Sequence, residues 1–241
     1  MAGKNDGTVL SSRLSLVADM IPRGSNVADI GTDHGFLPVY LVKHGIAKKV
    51  IACDIRKDPL SRAVKNAAEA GVSDMIDFRL SNGLDAVGKD EAGVYVICGM
   101  GGFVIMGILE SAIEKGMIFP GTEFIMSPHC DEEVFRRYLY KNGFFIKSEN
   151  MICDNGMFYV IFSCVYDSQE REASEQEYRY GAMPLKEKQS ALKEYLLREK
   201  RILEETKEKL ACSLERSENA RRRLDEIEKE LRMNSDALRD F

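Results

Sequence analysis

The chain of 241 residues contains no tryptophan, three histidines and six prolines. With so few histidines and no Cys-x-x-Cys pair, no metal site is expected. Six cysteines (Cys53, Cys98, Cys130, Cys153, Cys164 and Cys212) are scattered, several inside apolar runs where a free thiol acts as a small hydrophobe. A disulfide scaffold is not expected at this size. No apolar run approaches the ~20 residues of a membrane helix. The opening residues, Met1 to Asp6, carry no apolar segment, so no signal peptide is expected and the compartment reads as cytoplasmic. Positive charge is short as well: 34 Lys and Arg against 39 Asp and Glu give a net −5. That balance excludes indiscriminate coating of nucleic acid by bulk charge.

What is present suits one α/β core with an appendage. From Lys186 to Phe241 there are fifteen basic and fourteen acidic residues, a balance of +1, which leaves −6 for the rest. Beyond Leu185 there is no Gly and no Pro, whereas before it apolar runs are punctuated by glycine. The expected domains are therefore 1–181 and 182–241.

The first domain alternates strand and helix signals. Ser11 to Met20 reads as a helix presenting Leu14, Val17 and Ala18. Strands are expected at Val27–Ile30, Val50–Ile55, Ile76–Leu80, Val94–Cys98 and Glu123–Ser127, the fourth a continuous apolar run of buried parallel type. Between them, helices are expected over Pro38–His44, from an Asp58 cap to Gly71, and across Val104–Ile113. Asp131 is expected to cap a further helix ending at Asn142-Gly143. Phe144–Cys153 and Met157–Val165 then flank Asp154-Asn155-Gly156, a hairpin signal. The sum is a mainly parallel sheet with helices on both faces and an antiparallel excursion at one edge.

In the tail, Leu196, Leu203, Leu210, Leu224, Leu231 and Leu238 share one seven-residue register, interrupted at Ser217. The companion positions (Leu192, Glu199, Thr206, Ser213, Ala220, Ile227) make a poor second seam. One good seam and one weak one fit a two-helix coiled-coil hairpin that breaks near Cys212 to Asn219.

The strongest local signal is Asp29-Ile30-Gly31-Thr32-Asp33-His34-Gly35, between the first strand and its helix. Ligands of open α/β sheets bind at strand C-termini, where glycine lets the backbone approach them. A dinucleotide fingerprint needs a second glycine where Asp33 stands, and that carboxylate would repel a pyrophosphate. Carboxylates at 29 and 33 instead suit a sulfonium or an amino group. Asp54 closes the second strand, where an acidic residue accepts hydrogen bonds from ribose hydroxyls. Asn82, in Ser81-Asn82-Gly83-Leu84, fits either an adenine edge or an ordinary turn. Gly99-Met100-Gly101-Gly102 is a backbone-approach loop opening a helix. Ser127-Pro128-His129 holds the equivalent place after the fifth strand, so His34 and His129 both belong at the cleft rim.

These residues resemble class I S-adenosylmethionine-dependent methyltransferases. Leu10-Ser11-Ser12-Arg13-Leu14, Val27 to Gly35, Gly99-Met100-Gly101-Gly102 and the charged tail are together similar to the bacterial tRNA (adenine-N1)-methyltransferase family, called TrmK, which acts on adenine 22 of the D-arm. The resemblance implies a Rossmann-like, mainly parallel seven-stranded sheet with one antiparallel hairpin strand, plus the coiled-coil hairpin. It implies S-adenosyl-L-methionine as cofactor, with Asp29, Gly31, Asp33 and His34 at its methionine end and Arg13 among the residues that bind it. Asp54 and Ile55 would hold ribose and adenine, Asn82 and Gly83 the adenine edge, and Gly99 and Met100 the reacting centre. Two departures stand out. Asn82 replaces an aspartate usual in the family, and Ser127-Pro128-His129 replaces Gln-Pro-Asn. The Asn-Pro-Pro-Tyr motif of exocyclic-amine methyltransferases is absent after the fourth strand.

On this reading adenine N1 attacks the methyl carbon in line, with Asp33 or His129 orienting the adenine N6 group and Met100 beside the reaction. Arg221-Arg222-Arg223, a basic triplet in the tail, is the expected tRNA contact of a monomer or weak dimer. Two rivals are a small-molecule methyltransferase with a dimerising tail and a catalytically silent cofactor-binding scaffold whose coiled coil recruits a partner.

Overall fold

A computed structural model describes residues 9–211 and 218–241. The chain divides into two compact units, meeting at Ala173 and Ser174. The division falls before the expected boundary at Gly181 because the short helix α6 (Glu175–Tyr180) belongs with the tail. It opens on a capping box between Ser174 and Glu177.

The first unit runs α1 (Ser12–Asp19), β1 (Ser25–Ile30), α2 (Phe36–Lys43), β2 (Ala47–Asp54), α3 (Lys57–Ala70), β3 (Ile76–Leu80), β4 (Val94–Met100), α4 (Gly102–Glu114), β5 (Glu123–Pro128), α5 (Glu132–Lys141), β6 (Phe144–Asp154) and β7 (Met157–Tyr166). The strands form one seven-stranded sheet of order β3-β2-β1-β4-β5-β7-β6. Pairings from β3 through β5 are parallel, and β7 runs antiparallel to both β5 and β6. Alternation along the strands explains why both faces are apolar. Ala28, Tyr95 and Ile97 face a cluster with Ile105, Leu109 and Phe135. Val27, Val94 and Val96 face another with Val17, Leu41 and Ala67. A sheet covered on both sides needs a hydrophobe at nearly every central position, hence the continuous runs.

The hairpin turns on Asn155 (φ 51°) and Gly156 (φ 78°), with Asp154 paired to Met157. Left-handed backbone at both central residues matches the strand twist. Under the hairpin, Arg136 of α5 donates through Nε to Glu149 Oε1 of β6 at 2.6 Å, both fully buried.

Two expected caps are corrected. Helix α3 begins at Lys57 with Arg56 as its cap residue, so Asp58 and Pro59 lie inside its first turn. The cause is Asp54, whose Oδ1 accepts the Arg56 N–H at 2.8 Å and sets the chain turning two residues early. Pro59 is tolerated there because first-turn N–H groups have no helical acceptor. Asp131 does precede α5, but in left-handed backbone and without a side-chain cap bond. Its Oδ2 instead accepts from the Cys130 thiol at 3.0 Å.

The second unit continues from α6 through α7 (Ala182–Lys186), α8 (Ser190–Ala211) and α9 (Glu218–Arg239), with α8 packed on α9. Most of the expected break, including Cys212 and Ser217, lies outside the described residues. The companion positions matter more than their composition suggests. Leu192 and Ile227 are fully buried, while Leu224, Leu231 and Leu238 are only half-buried. Glu199, a weak seam position by hydrophobicity, is a polar hub. It accepts from Arg179 Nη2 at 2.8 Å, the Tyr180 hydroxyl at 2.7 Å and Asn234 Nδ2 at 2.8 Å. A half-buried carboxylate with several charged or polar donors is held in place by them.

Candidate active site

Between β1 and β4 the strand order reverses, so their following loops part and leave a cleft at the C-terminal edge of the sheet. The cleft encloses about 500 Å³. Its lining brings together every residue expected at the cofactor and catalytic positions, from Arg13 on α1 to His129 after β5. Arg221, Arg222 and Arg223 lie on α9 of the other unit. Arg221 and Arg222 are exposed, while Arg223 is ion-paired at 3.0 Å with both Glu226 and Glu230.

The floor is built mostly by backbone. Gly31 (φ 81°) and Thr32 donate their N–H groups to the Cys53 carbonyl, each at 2.8 Å, tying the β1 loop to β2. Its positive φ strains any side chain placed there, and a Cβ on Gly31 would also displace the Met100 methyl. Asp54 is buried and braces the floor. Its Oδ2 accepts the Asp33 N–H at 3.2 Å while its Oδ1 accepts that of Arg56. Ser81 donates to the Gly83 carbonyl at 2.9 Å and accepts from Ala86, fixing the Asn82 turn.

Charge is the second component. Asp29 is 5% exposed, and burial raises its carboxyl from 3.8 to about 6, with Thr32 opposing and Asp54 adding to the rise. A buried carboxyl so placed gains most from a cation. Asp33 (φ 49°) stands in left-handed backbone with His34 Nε2 3.6 Å from its Oδ2. Across the cleft, the Arg13 guanidinium lies 5.0 Å over the Tyr159 ring, and its buried Nη1 has no hydrogen-bond partner. That orphan donor points to an anion-bearing ligand group.

The third component is the wall after β4 and β5. The His129 N–H donates to the Met100 carbonyl at 2.8 Å, joining the two loops. Its ring meets Tyr159 edge-on at 5.8 Å. Gly99 (φ 82°) leaves space beside it: a Cβ there would stand 3.5 Å from His129 Nε2. Burial, then the Arg13 charge, push the imidazole below its ordinary value, so it is neutral near pH 7. Burial pushes the Cys98 thiol up to about 12, which excludes it as a ready thiolate nucleophile. Among the described residues, no group of three or more His, Cys, Asp or Glu could hold a metal ion.

Sequence reasoning missed Tyr159, Val104 and Ile108. Val104 and Ile108 repeat at helical spacing and look like core, yet both line the cleft. Tyr159 lies in a strand run and carries no signal for its place beneath Arg13.

A cleft at the reversal point, a buried carboxylate for a cation, an orphan guanidinium for an anion and an acidic end to β2 fit a zwitterionic sulfonium nucleoside. With one antiparallel strand in a seven-stranded sheet, they define a class I S-adenosylmethionine-dependent methyltransferase. A family model described as a methyltransferase domain matches residues 10–162. The chain is 34% identical to the tRNA (adenine(22)-N(1))-methyltransferase of Bacillus subtilis over 166 residues, 68% of each protein. The crystal structure of the B. subtilis m1A22 tRNA methyltransferase TrmK aligns with a TM-score of 0.83 at 26% identity, covering 96% of this chain and 99% of that one. M. capricolum TrmK in complex with S-adenosyl-homocysteine aligns at 0.76 and 28% identity, covering 96% and 98%. The chain belongs to the TrmK family.

Proposed function

We propose that this protein transfers a methyl group from S-adenosyl-L-methionine to N1 of adenine 22 in the tRNA D-arm. The supporting observation is the chemistry gathered in one cleft: a buried Asp29, an Arg13 Nη1 without a hydrogen-bond partner, and an exposed, neutral His129. When bound, the cofactor supplies an electrophilic methyl carbon on a positively charged sulfur.

The residues divide the work by position. Asp29, Asp33 and His34 hold the ammonium end on the Gly31 turn, and Arg13 pairs with the carboxylate. Asp54 accepts from the ribose hydroxyls, while Ile55, Asn82 and Gly83 bound the adenine. Gly99 and Met100 leave a narrow approach for the attacking base. The lone pair of N1 forms the new bond to carbon as the carbon–sulfur bond breaks, with the departing electron pair staying on sulfur. No proton must leave N1, so the protein's contribution is alignment, worth ~7–11 kcal/mol when well oriented. His129 accepts from the adenine N6 group because it is neutral, and Asp33 is the second group able to orient it.

N1 is a Watson–Crick atom, so the base must leave its pair to enter the cleft. The exposed Arg221 and Arg222 on α9, joined by Arg223, are the proposed tRNA contacts. Affinity is then local and salt-sensitive. No helix among the described residues is long and apolar enough to cross a membrane. A tRNA substrate supports the cytoplasm as the proposed compartment, and the proposed state is a monomer or weak dimer. Methyl transfer is assigned to the unit ending at Ala173 and tRNA contact to the unit from Ser174, in place of the expected 1–181 and 182–241. The test is incubation with labelled S-adenosylmethionine and total bacterial tRNA, followed by nucleoside mapping. Label in 1-methyladenosine at position 22 is expected. Label elsewhere, or turnover without RNA, overturns the proposal.

A further inference from the structure

Helix α4 buries Ile105, Met106, Leu109 and Ala112 against the sheet. The two residues just before them do the opposite: Phe103 is 62% exposed and Val104 is 56% exposed. An aromatic ring left in water contributes little to the core, and a polar residue would serve the first turn of this helix equally well. Val104 lines the cleft, and Phe103 adjoins it on the first turn of α4. Both follow directly on the Gly99–Gly102 loop. On the opposite rim Ile55, 63% exposed, lines the cleft from the end of β2. The cleft thus carries exposed apolar side chains, Val104 and Ile55, with an exposed Phe103 next to Val104 on α4 and an exposed Arg56 next to Ile55.

What such a surface suits follows from the substrate, and this step rests on the proposed methylation of N1. The target base can present N1 only after it leaves its stack, which opens a gap in the RNA. Proteins that open nucleic-acid stacks insert apolar side chains into them. Aromatic rings do so with little sequence preference because every base has a π-face. We infer that Phe103 is the stacking wedge for the RNA: its ring packs on the base next to the target as the adenine turns into the cleft, and Val104 forms the apolar wall beside the extruded base. Gly101 caps α4 with φ −65° and ψ 152°, so the helix starts within the loop. The ring is thus held by regular backbone three residues from Met100. Phe103 is a positioning residue, because it touches neither the cofactor nor N1.

The experiment compares two tRNA transcripts, one native and one with the base opposite the target adenine changed so that the adenine is already unpaired. On the native transcript, Phe103→Ala is expected to lower kcat/KM at least tenfold, and Phe103→Trp to stay within threefold of wild type. On the unpaired transcript, the Ala variant should lose less than threefold. Cofactor affinity and thermal midpoint should match wild type for both variants. With 2-aminopurine in place of the target adenine, the fluorescence rise on binding should be smaller for the Ala variant. An equal loss on both transcripts, or no loss on either, overturns the wedge. Wild-type protein that methylates neither transcript overturns the functional reading itself, so the two failures are distinguishable.

Discussion

The two halves of the cleft are built differently. On the cofactor side, ends of parallel strands and backbone hydrogen bonds set the geometry: Gly31 and Thr32 on the Cys53 carbonyl, Asp33 and Arg56 on Asp54. On the base side, side chains from distant elements meet one another: His129 after β5 meets Tyr159 from β7, whose ring also carries Arg13, the α1 residue proposed to reach over to the cofactor's carboxylate. A site held by backbone tolerates little change and binds an invariant ligand. A site held by side-chain contacts can be altered one residue at a time, which suits the half that meets a variable macromolecule.

That contrast predicts separable losses. The largest is expected at Asp54, because it serves both ligand and floor. Asp54→Ala should weaken cofactor binding by about 30–100-fold in calorimetry, as charged hydrogen bonds contribute ~1.5–3 kcal/mol each. A loss under threefold would mean that the backbone floor stands without it. Next, His129→Ala should lower kcat on tRNA by roughly 10–100-fold while the cofactor dissociation constant moves less than about threefold, the signature of an interaction made with the reacting base. Equal damage to both constants would erase the division between the halves.

Asp29 gives a pH test of the cofactor half. Its carboxyl titrates at about 6 in the folded protein against 3.8 as its ordinary value. The raised value means that the folded state favours the protonated form. Asp29 therefore costs the ligand-free protein stability as pH rises from 3.8 to about 6, on the order of 3 kcal/mol in full. A cation favours the ionised form, so cofactor affinity should fall as pH drops through 6. Asp29→Asn should flatten that profile, bind weakly throughout, and raise the thermal midpoint of the ligand-free protein at pH 7.5 but not at pH 4. A variant with unchanged pH dependence would show that another group titrates. The smallest effect is expected in the tail. Arg221→Glu with Arg222→Glu should weaken tRNA binding by about 3–10-fold and flatten its salt dependence, with cofactor affinity untouched. Arg223→Ala should do less, since that guanidinium already faces Glu226 and Glu230.

The same contrast governs what could be read in advance. Strands β1 and β4, the hairpin turn and the glycine loops are legible because burial on both faces demands apolar runs and positive φ demands Gly or Asn. Asp29, Asp54 and Asn82 are legible for a related reason: strand ends lie next to one another whatever the side chains are. Tyr159 was not legible, because only the folding of β7 beside α1 gives it a neighbour. Val104 read as core because helical spacing reports which face is apolar and not whether that face is covered. Asp58 and Asp131 differ from the expected caps because a local hydrogen bond competes: Arg56 N–H to Asp54 starts α3 early, and the Cys130 thiol occupies the Asp131 carboxylate. In the tail, Glu199 looks like a flaw in the seam, since hydrophobic pattern has no way to register four donors converging on one carboxylate.

Those donors carry a mechanical consequence. Asn234 gives its amide protons to both Glu199 and the Leu196 carbonyl, at 2.8 and 3.0 Å, from a fully buried position. Sliding α9 along α8 by one heptad would keep leucines opposite leucines, but it would carry the amide away from both acceptors. A buried polar pair of this kind selects one register. Each helix is 22 residues long, or roughly 33 Å. The pair is consequently a gauge with fixed graduations: it sets how far along its length each exposed arginine is presented, so that spacing, rather than quantity of charge, is what the arm would offer in the proposed tRNA contact.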